Sequence, residues 1–276
     1  MGLRFSKMHG LGNDFVIVDC RSTPLGLDAP AIERVGDRHF GVGFDQLLTI
    51  EIARDPTCAF AYGIWNTDGS RALQCGNGLR CVARWLAREG LLAKGPVRLQ
   101  SPSGPVAIEL LDDGSVRADM GGPDFAPAAI PLLADEVVDP YTIYVVGEPL
   151  QVGAVSMGNP HAVIAVDDVD AAPVSVLGPQ VEHADAFPQA CNVGFAQILA
   201  RDAIRLRVWE RGVGETLACG SGACAAVAVL RRRAKLDANV RVSLPGGSLD
   251  IRWEGPGHTL WMRGPATFVF EGDYVV

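Results

Sequence analysis

Hydrophobic and polar residues alternate with a period of two over short stretches along most of this chain, the pattern of half-buried strands. In the first half these stretches fall at Leu3–Lys7, Phe15–Asp19, Gln46–Ala53, Ala59–Trp65, Val97–Ser101, Val106–Leu110 and Val116–Met120. Turn residues such as Asp112-Asp113-Gly114 separate them. One segment has helical spacing instead: from Gly78 to Glu89, Leu79, Val82, Ala83, Leu86 and Ala87 recur along one face, and Gly90 supplies a stop. Gly121-Gly122-Pro123, followed by Pro127 and Pro131, breaks the pattern and predicts a connector. Strand-like runs resume at Tyr141–Val146, Gln151–Ser156, Ala162–Val166, Gly194–Leu199, Ile204–Trp209, Val240–Leu244, Leu249–Trp253 and Thr259–Met262, with one helix across Gly222–Leu236.

The two halves match residue by residue. Trp65, Leu73, Cys75, Gly76, Gly78 and Leu86 recur as Trp209, Leu217, Cys219, Gly220, Gly222 and Leu230, at a constant offset of 144. Upstream the offset becomes 146, where Asn13 faces Asn159 and Gln46 faces Asn192. Blocks repeating in one order at nearly one offset predict two related domains. Residues 1–120 are expected to form the first and 121–264 the second, with a C-terminal strand at 265–276 returning to the first.

Composition narrows the function classes. In 276 residues, 24 Lys and Arg stand against 32 Asp and Glu, a net charge of -8, which disfavours general attraction to nucleic acid or an anionic membrane. Hydrophobic residues make up 48% and charged residues 20%, as in an ordinary globular protein, and no run reaches bilayer-spanning length. The N-terminal stretch has no apolar h-region, so a cytoplasmic location is expected. Seven cysteines, an odd number in a long chain, speak against a secreted disulfide framework.

The chemistry concentrates in the duplicated block. Each repeat delivers strand, Cys-Gly-X-Gly, then helix, at Cys75-Gly76-Asn77-Gly78 and Cys219-Gly220-Ser221-Gly222. A cysteine just before a helix feels backbone N–H groups and the positive dipole end, which are expected to lower its pKa. The glycines let N–H groups crowd around an anion. Cys20, Cys58, Cys81, Cys191 and Cys224 read as small buried hydrophobes. The spacings of the paired blocks do not form close zinc-ligand pairs, so no metal is expected. With three lysines (Lys7, Lys94, Lys235) and no phosphate loop around them, no pyridoxal cofactor is expected either.

Two cysteines in pseudosymmetric halves suit racemisation, which needs one acid–base group on each side of a stereocentre, one thiolate and one thiol. The residues also leave room for another two-cysteine racemase, acting on proline or hydroxyproline. A thiol redox sensor or binding module is the reading from a different class.

Met8-His9-Gly10-Leu11-Gly12-Asn13-Asp14-Phe15, Asn66-Thr67-Asp68-Gly69-Ser70, Cys75-Gly76-Asn77-Gly78-Leu79-Arg80-Cys81, Met157-Gly158-Asn159-Pro160-His161 and the run from Trp209 to Gly222 together resemble the signature blocks of the diaminopimelate epimerases. Isomerases of the phenazine-biosynthesis type share that fold but lack the cysteine pair. The resemblance implies an α/β (α+β) fold of two pseudosymmetric domains, each a β-barrel-like sheet around a central helix, with the active site in the cleft between them. It implies cofactor-independent epimerisation of LL- to meso-2,6-diaminopimelate, in lysine and peptidoglycan precursor synthesis, with Cys75 and Cys219 as the catalytic pair. It carries substrate contacts over to Asn13, Gln46, Asn66, Gly76, Asn77, Asn159, Asn192, Glu210, Arg211, Gly220 and Ser221, and tuning of the thiol pKa values to His161 and Glu210. A homodimer is implied as well, for which the exposed potential of Phe270 marks a candidate surface.

Overall fold

The computed structural model describes residues 2–73, 75–93 and 95–275, so Gln74, within the first cysteine block, and Lys94 lie outside the described residues. The chain forms two compact units, Met1–Asp119 with Arg263–Val276, and Met120–Met262. It is a mixed α/β protein, rich in strands and poor in helices. No helix among the described residues is long and apolar enough to cross a membrane.

In the first unit, β1 (Gly2–Gly10) and β2 (Asn13–Asp19) form an antiparallel hairpin whose two connecting residues, Leu11 and Gly12, both have positive φ, 58° and 88°. That backbone matches the twist of the strands and permits a two-residue loop, so Asn13 is the first residue of β2, opposite Gly10. Helix α1 (Ala29–Gly36), capped by the Asp28 side chain on Ala31 N, crosses to β3 (Gln46–Glu51), which runs parallel to β2. β4 (Phe60–Asn66) returns antiparallel to β3, and α2 (Gly76–Arg88) crosses to β5 (Pro96–Ser101), parallel to β4. β6 (Gly104–Leu110) and β7 (Val116–Asp119) complete a meander.

The second unit repeats the plan. β8 (Tyr141–Val145), β9 (Glu148–Ser156) and β10 (Pro160–Ala165) run antiparallel in sequence. Helix α3 (Val174–Glu182) crosses to β11 (Asn192–Ala200), parallel to β10. β12 (Ala203–Glu210) returns antiparallel, with the short β13 (Gly214–Thr216) beside it, and α4 (Gly220–Arg232) crosses to β14 (Asn239–Leu244), parallel to β12. β15 (Gly247–Trp253) pairs with β14. After β16 (Leu260–Gly264), β17 (Thr267–Val275) begins two residues after the start expected at 265 and pairs antiparallel with β1 along nearly its whole length.

Each unit wraps its strands around one helix. α2 packs on β1, β2, β3, β6 and β7, and α4 on β9, β10, β11, β12 and β15. Both helices are 13 residues long and buried on most sides, and in α4 nine of the 13 residues are Gly, Ala, Cys or Val. α1 and α3 cover the outer faces: Ile32 and Val35 join Val16, Phe44, Leu47 and Trp65, while Val174 and Val181 join Val152, Val193 and Phe195. Neither outer helix is marked by the sequence pattern. α1 is only eight residues, and α3 follows Pro173, contains Pro179 and alternates its valines.

Close approach of α4 to β9 depends on Gly153, where an added Cβ would lie 2.2 Å from Val229 Cγ1. Gly153→Ala is therefore expected to cost about 1–3 kcal/mol through overpacking. Combined with Val229→Ala it should cost less than the two single changes together, a coupling read from urea denaturation midpoints. Additive effects would show that the two positions do not touch.

Candidate active site

The duplicated cysteines begin the two central helices. Cys75 is the N-cap of α2 and its Sγ accepts from Gly78 N at 3.3 Å; Cys219 is the N-cap of α4 and its Sγ accepts from Gly222 N at 3.4 Å. Sulfur here does the work usually done by a Ser or Asp oxygen, taking one of the first-turn N–H groups that have no intrahelical partner. An added Cβ at Gly222 would stand 3.1 Å from Val208 Cγ2 and 3.3 Å from the sulfur, so a side chain here would crowd the cap.

Strand register brings the other polar residues to the same helix ends. In the first unit Phe15 pairs with Gln46 and Gln46 with Asn66. In the second His161 pairs with Asn192, and the register that matches Val193 with Trp209 sets Asn192 beside Glu210. The equivalent triplets are Phe15, Gln46, Asn66 and His161, Asn192, Glu210, with Asn13 and Asn159 two residues before each first member.

Around Cys75, Asn13 Oδ1 lies 3.8 Å from the sulfur and accepts from Asn77 Nδ2 at 3.2 Å. Asn77 Oδ1 in turn accepts from Arg80 at 2.8 Å. Arg80 is completely buried and also donates to the carbonyls of Gly76 and Pro265. On the other side Asn13 Nδ2 donates to Asp45 Oδ2 at 2.7 Å, and Arg38 bridges Asp45 and Asp14. Burial works to raise the Asp14 carboxyl, but Arg38 and Lys7 outweigh it and hold it at about 2. Gln46 Nε2 donates to Asn66 Oδ1 at 3.0 Å, and Asn66 Nδ2 to Ser70 Oγ at 3.0 Å. Arg80, Asp45 and Arg38 were not singled out from the sequence. Arg80 lies within the Cys75 block, but nothing in its spacing marks it as the residue that orients Asn77.

Around Cys219, Ser221 Oγ lies 3.6 Å from the sulfur and accepts from Asn159 Nδ2 at 3.4 Å. Asn159 Oδ1 meets His161 Nε2 at 3.0 Å. Asn192 donates to Pro160 O and accepts from Arg211 N, both at 3.0 Å, and Arg211 donates to Gln189 O. Thr216 donates to Glu210 Oε1 at 2.6 Å.

The electrostatics correct one expectation. Burial, then the Glu210 carboxylate, push the Cys219 thiol well above its ordinary value, and the Ser221 hydroxyl and Gly222 N–H do not offset them. The helix start does not make Cys219 acidic in this structure. His161 occupies the repeat position that Phe15 fills with an apolar ring, and burial followed by the Arg211 charge lowers its pKa to about 3. It is therefore a neutral ring that orients Asn159. Of the other cysteines, Cys58, Cys81, Cys191 and Cys224 are buried as expected, and burial pushes Cys191 up to about 12, whereas Cys20 is only half-buried.

A sequence profile of the diaminopimelate epimerase family matches residues 5–126 and 153–269. The chain belongs to this family. Solved structures share its fold at low identity. A phenazine biosynthesis protein of the PhzF family from Bacillus anthracis matches with a TM-score of 0.71 and 16% identity, covering 100% of both chains. A hydroxyproline epimerase from Agrobacterium vitis, with bound trans-4-hydroxy-L-proline, gives 0.71 and 14%, covering 99% of this chain and 92% of that one. A probable proline racemase from Agrobacterium radiobacter K84, with bound carbonate, gives 0.70 and 16%, covering 99% and 93%. Family membership and fold place the chain in an epimerase and racemase superfamily of isomerases.

Neutral burial of His161 fixes a pH dependence of stability. Its folded pKa is depressed, so the unfolded chain binds the proton more readily; stability is full above about 6.5 and falls as pH drops from there toward about 3. The slope approaches about 1.4 kcal/mol per pH unit. Urea midpoints of the wild type should decline between pH 6.5 and 4.5, and His161→Gln should remove most of that decline. A flat wild-type profile would mean that the ring takes up its proton as readily in the folded protein as in the unfolded chain.

Proposed function

We propose that this protein interconverts LL- and meso-2,6-diaminopimelate by a two-base reaction in which Cys75 and Cys219 are the acid–base pair. The observation that carries the reading is the duplicated cap: a cysteine sulfur at the N-terminus of a buried helix, with an Asn two residues before the pairing register in each unit. In the reaction one thiolate takes the α-proton as its S–H bond forms and the C–H bond breaks. The opposite thiol gives its proton to the other face of the carbanion, so that the pair exchanges roles with direction. Burial and Glu210 favour the protonated form of Cys219, which suits it to act as the acid in one direction, and in the other it acts as the base. First-turn N–H groups of α2 and α4 would meet the reacting carboxylate, where negative charge grows as the proton leaves.

The other residues suit a substrate with an ammonium and a carboxylate at each end. Arg211 offers a planar fork to a carboxylate, Glu210 an acceptor for an ammonium, and Asn13, Gln46, Asn66, Asn159 and Asn192 both donors and acceptors. The reaction as drawn needs no cofactor. Phe270, edge-on to Phe5 at 5.8 Å and 48% exposed on β17, supports the extension to a homodimer through this strand.

Reduced protein incubated with LL-diaminopimelate in deuterium oxide should lose the α-proton signal and form the meso compound. Cys75→Ala and Cys219→Ala should each remove turnover by at least about 10³-fold, in line with loss of a positioned acid–base group. Either single variant turning over normally would overturn the two-base scheme. Exchange with proline but not diaminopimelate would overturn the substrate. For the dimer, Phe270→Glu should shift sedimentation to the monomer mass, and an unchanged mass would remove β17 as the interface.

A further inference from the structure

We propose that Glu182 is a positioning residue that fixes Glu210 and Arg211 by holding the residues on either side of them. Glu182 ends α3 and is 4% exposed. Its two carboxylate oxygens are used separately. Oε2 accepts from Trp209 Nε1 at 2.7 Å, and Oε1 accepts from Gly212 N at 2.7 Å. One donor comes just before Glu210 and the other just after Arg211, so a single buried side chain brackets the pair.

The surrounding geometry supports a locating role over simple packing. Gly178 lies flat on the same indole, with an added Cβ 2.6 Å from Trp209 Cγ, so α3 fixes Trp209 by contact and by hydrogen bond. The Glu182 carbonyl accepts from Cys191 N, which holds the start of β11, and the next residue, Asn192, accepts from Arg211 N. The turn closes on itself through Val213 N to Glu210 O at 3.0 Å. A buried carboxylate is costly unless it is well hydrogen-bonded, and two N–H donors on two oxygens are an arrangement that only a carboxylate satisfies. Glutamine has one acceptor oxygen and would present an NH2 group to the second donor.

The inference rests on the reading that Glu210 and Arg211 handle substrate, so its test has one arm that needs no substrate. With 13Cβ-labelled cysteine, the Cys219 resonance, identified by its loss in Cys219→Ser, reports the thiol titration by NMR. The groups facing that thiol are Glu210 from β12 and Ser221 from α4, with neutral His161 behind Asn159 and Arg211 beyond Asn192. Glu182→Gln should lower the Cys219 midpoint in the same direction as Glu210→Gln, and the double variant should go no further than Glu210→Gln alone. With diaminopimelate as probe, Glu182→Gln should lower kcat/KM about 10²-fold, the scale of an ångström-sized misplacement.

A folded Glu182→Gln protein with an unmoved Cys219 midpoint would overturn the proposal, whatever its melting temperature. Should that variant fail to fold, Trp209→Phe removes one donor and leaves the carboxylate on Gly212; a midpoint shifted in the same direction supports the proposal, and an unshifted one overturns it. Absence of diaminopimelate turnover by the wild type would overturn the substrate reading and leave the thiol titration to decide on Glu182.

Discussion

The start of a helix leaves first-turn N–H groups without intrahelical partners, and the arrangement around the two cysteines begins from that constraint. Sulfur takes one N–H of α2 and one of α4. Each sulfur has glycine three positions on and polar residues at the neighbouring strand ends; a Cβ at Gly222 would crowd the Cys219 sulfur, and one at Gly78 would meet Leu48 and Phe15. The cap and the chemistry are one arrangement, since the same polarised N–H groups that need partners are those that attract an anion.

The two halves share this frame and differ in what surrounds it. The Cys75 side leans on a buried cation, Arg80, acting through Asn77 and Asn13. The Cys219 side carries a carboxylate, Glu210, and a neutral imidazole where its counterpart has a phenyl ring. A duplicated backbone has thus been given two different electrostatic environments.

Period-two alternation was sufficient to locate most strands, and helical spacing located α2 and α4, because these elements bury regular faces. α1 and α3 escaped notice for local reasons. α1 is short, and the prolines and alternating valines of α3 carry the wrong period. Candidate site residues were legible wherever the repeat duplicated them, as with Asn13 and Asn159 or Gln46 and Asn192. Residues that act through others had no such marker. Asp45 reaches Asn13 from 32 positions away and Glu182 reaches Trp209 from 27, contacts that exist only once strands and helices are packed.

The hairpin at Leu11-Gly12 sets a limit of a different kind. Two residues with positive φ connect β1 to β2, and Asn13 points toward the sulfur because it is the first residue after them. Side chains on a strand alternate faces, so a slip of one residue in the register of this hairpin would carry Asn13 to the opposite side and bring Gly12 or Asp14 into its place. At this turn the chain is constrained both in register and, through two consecutive positive φ angles, in the residues it accepts.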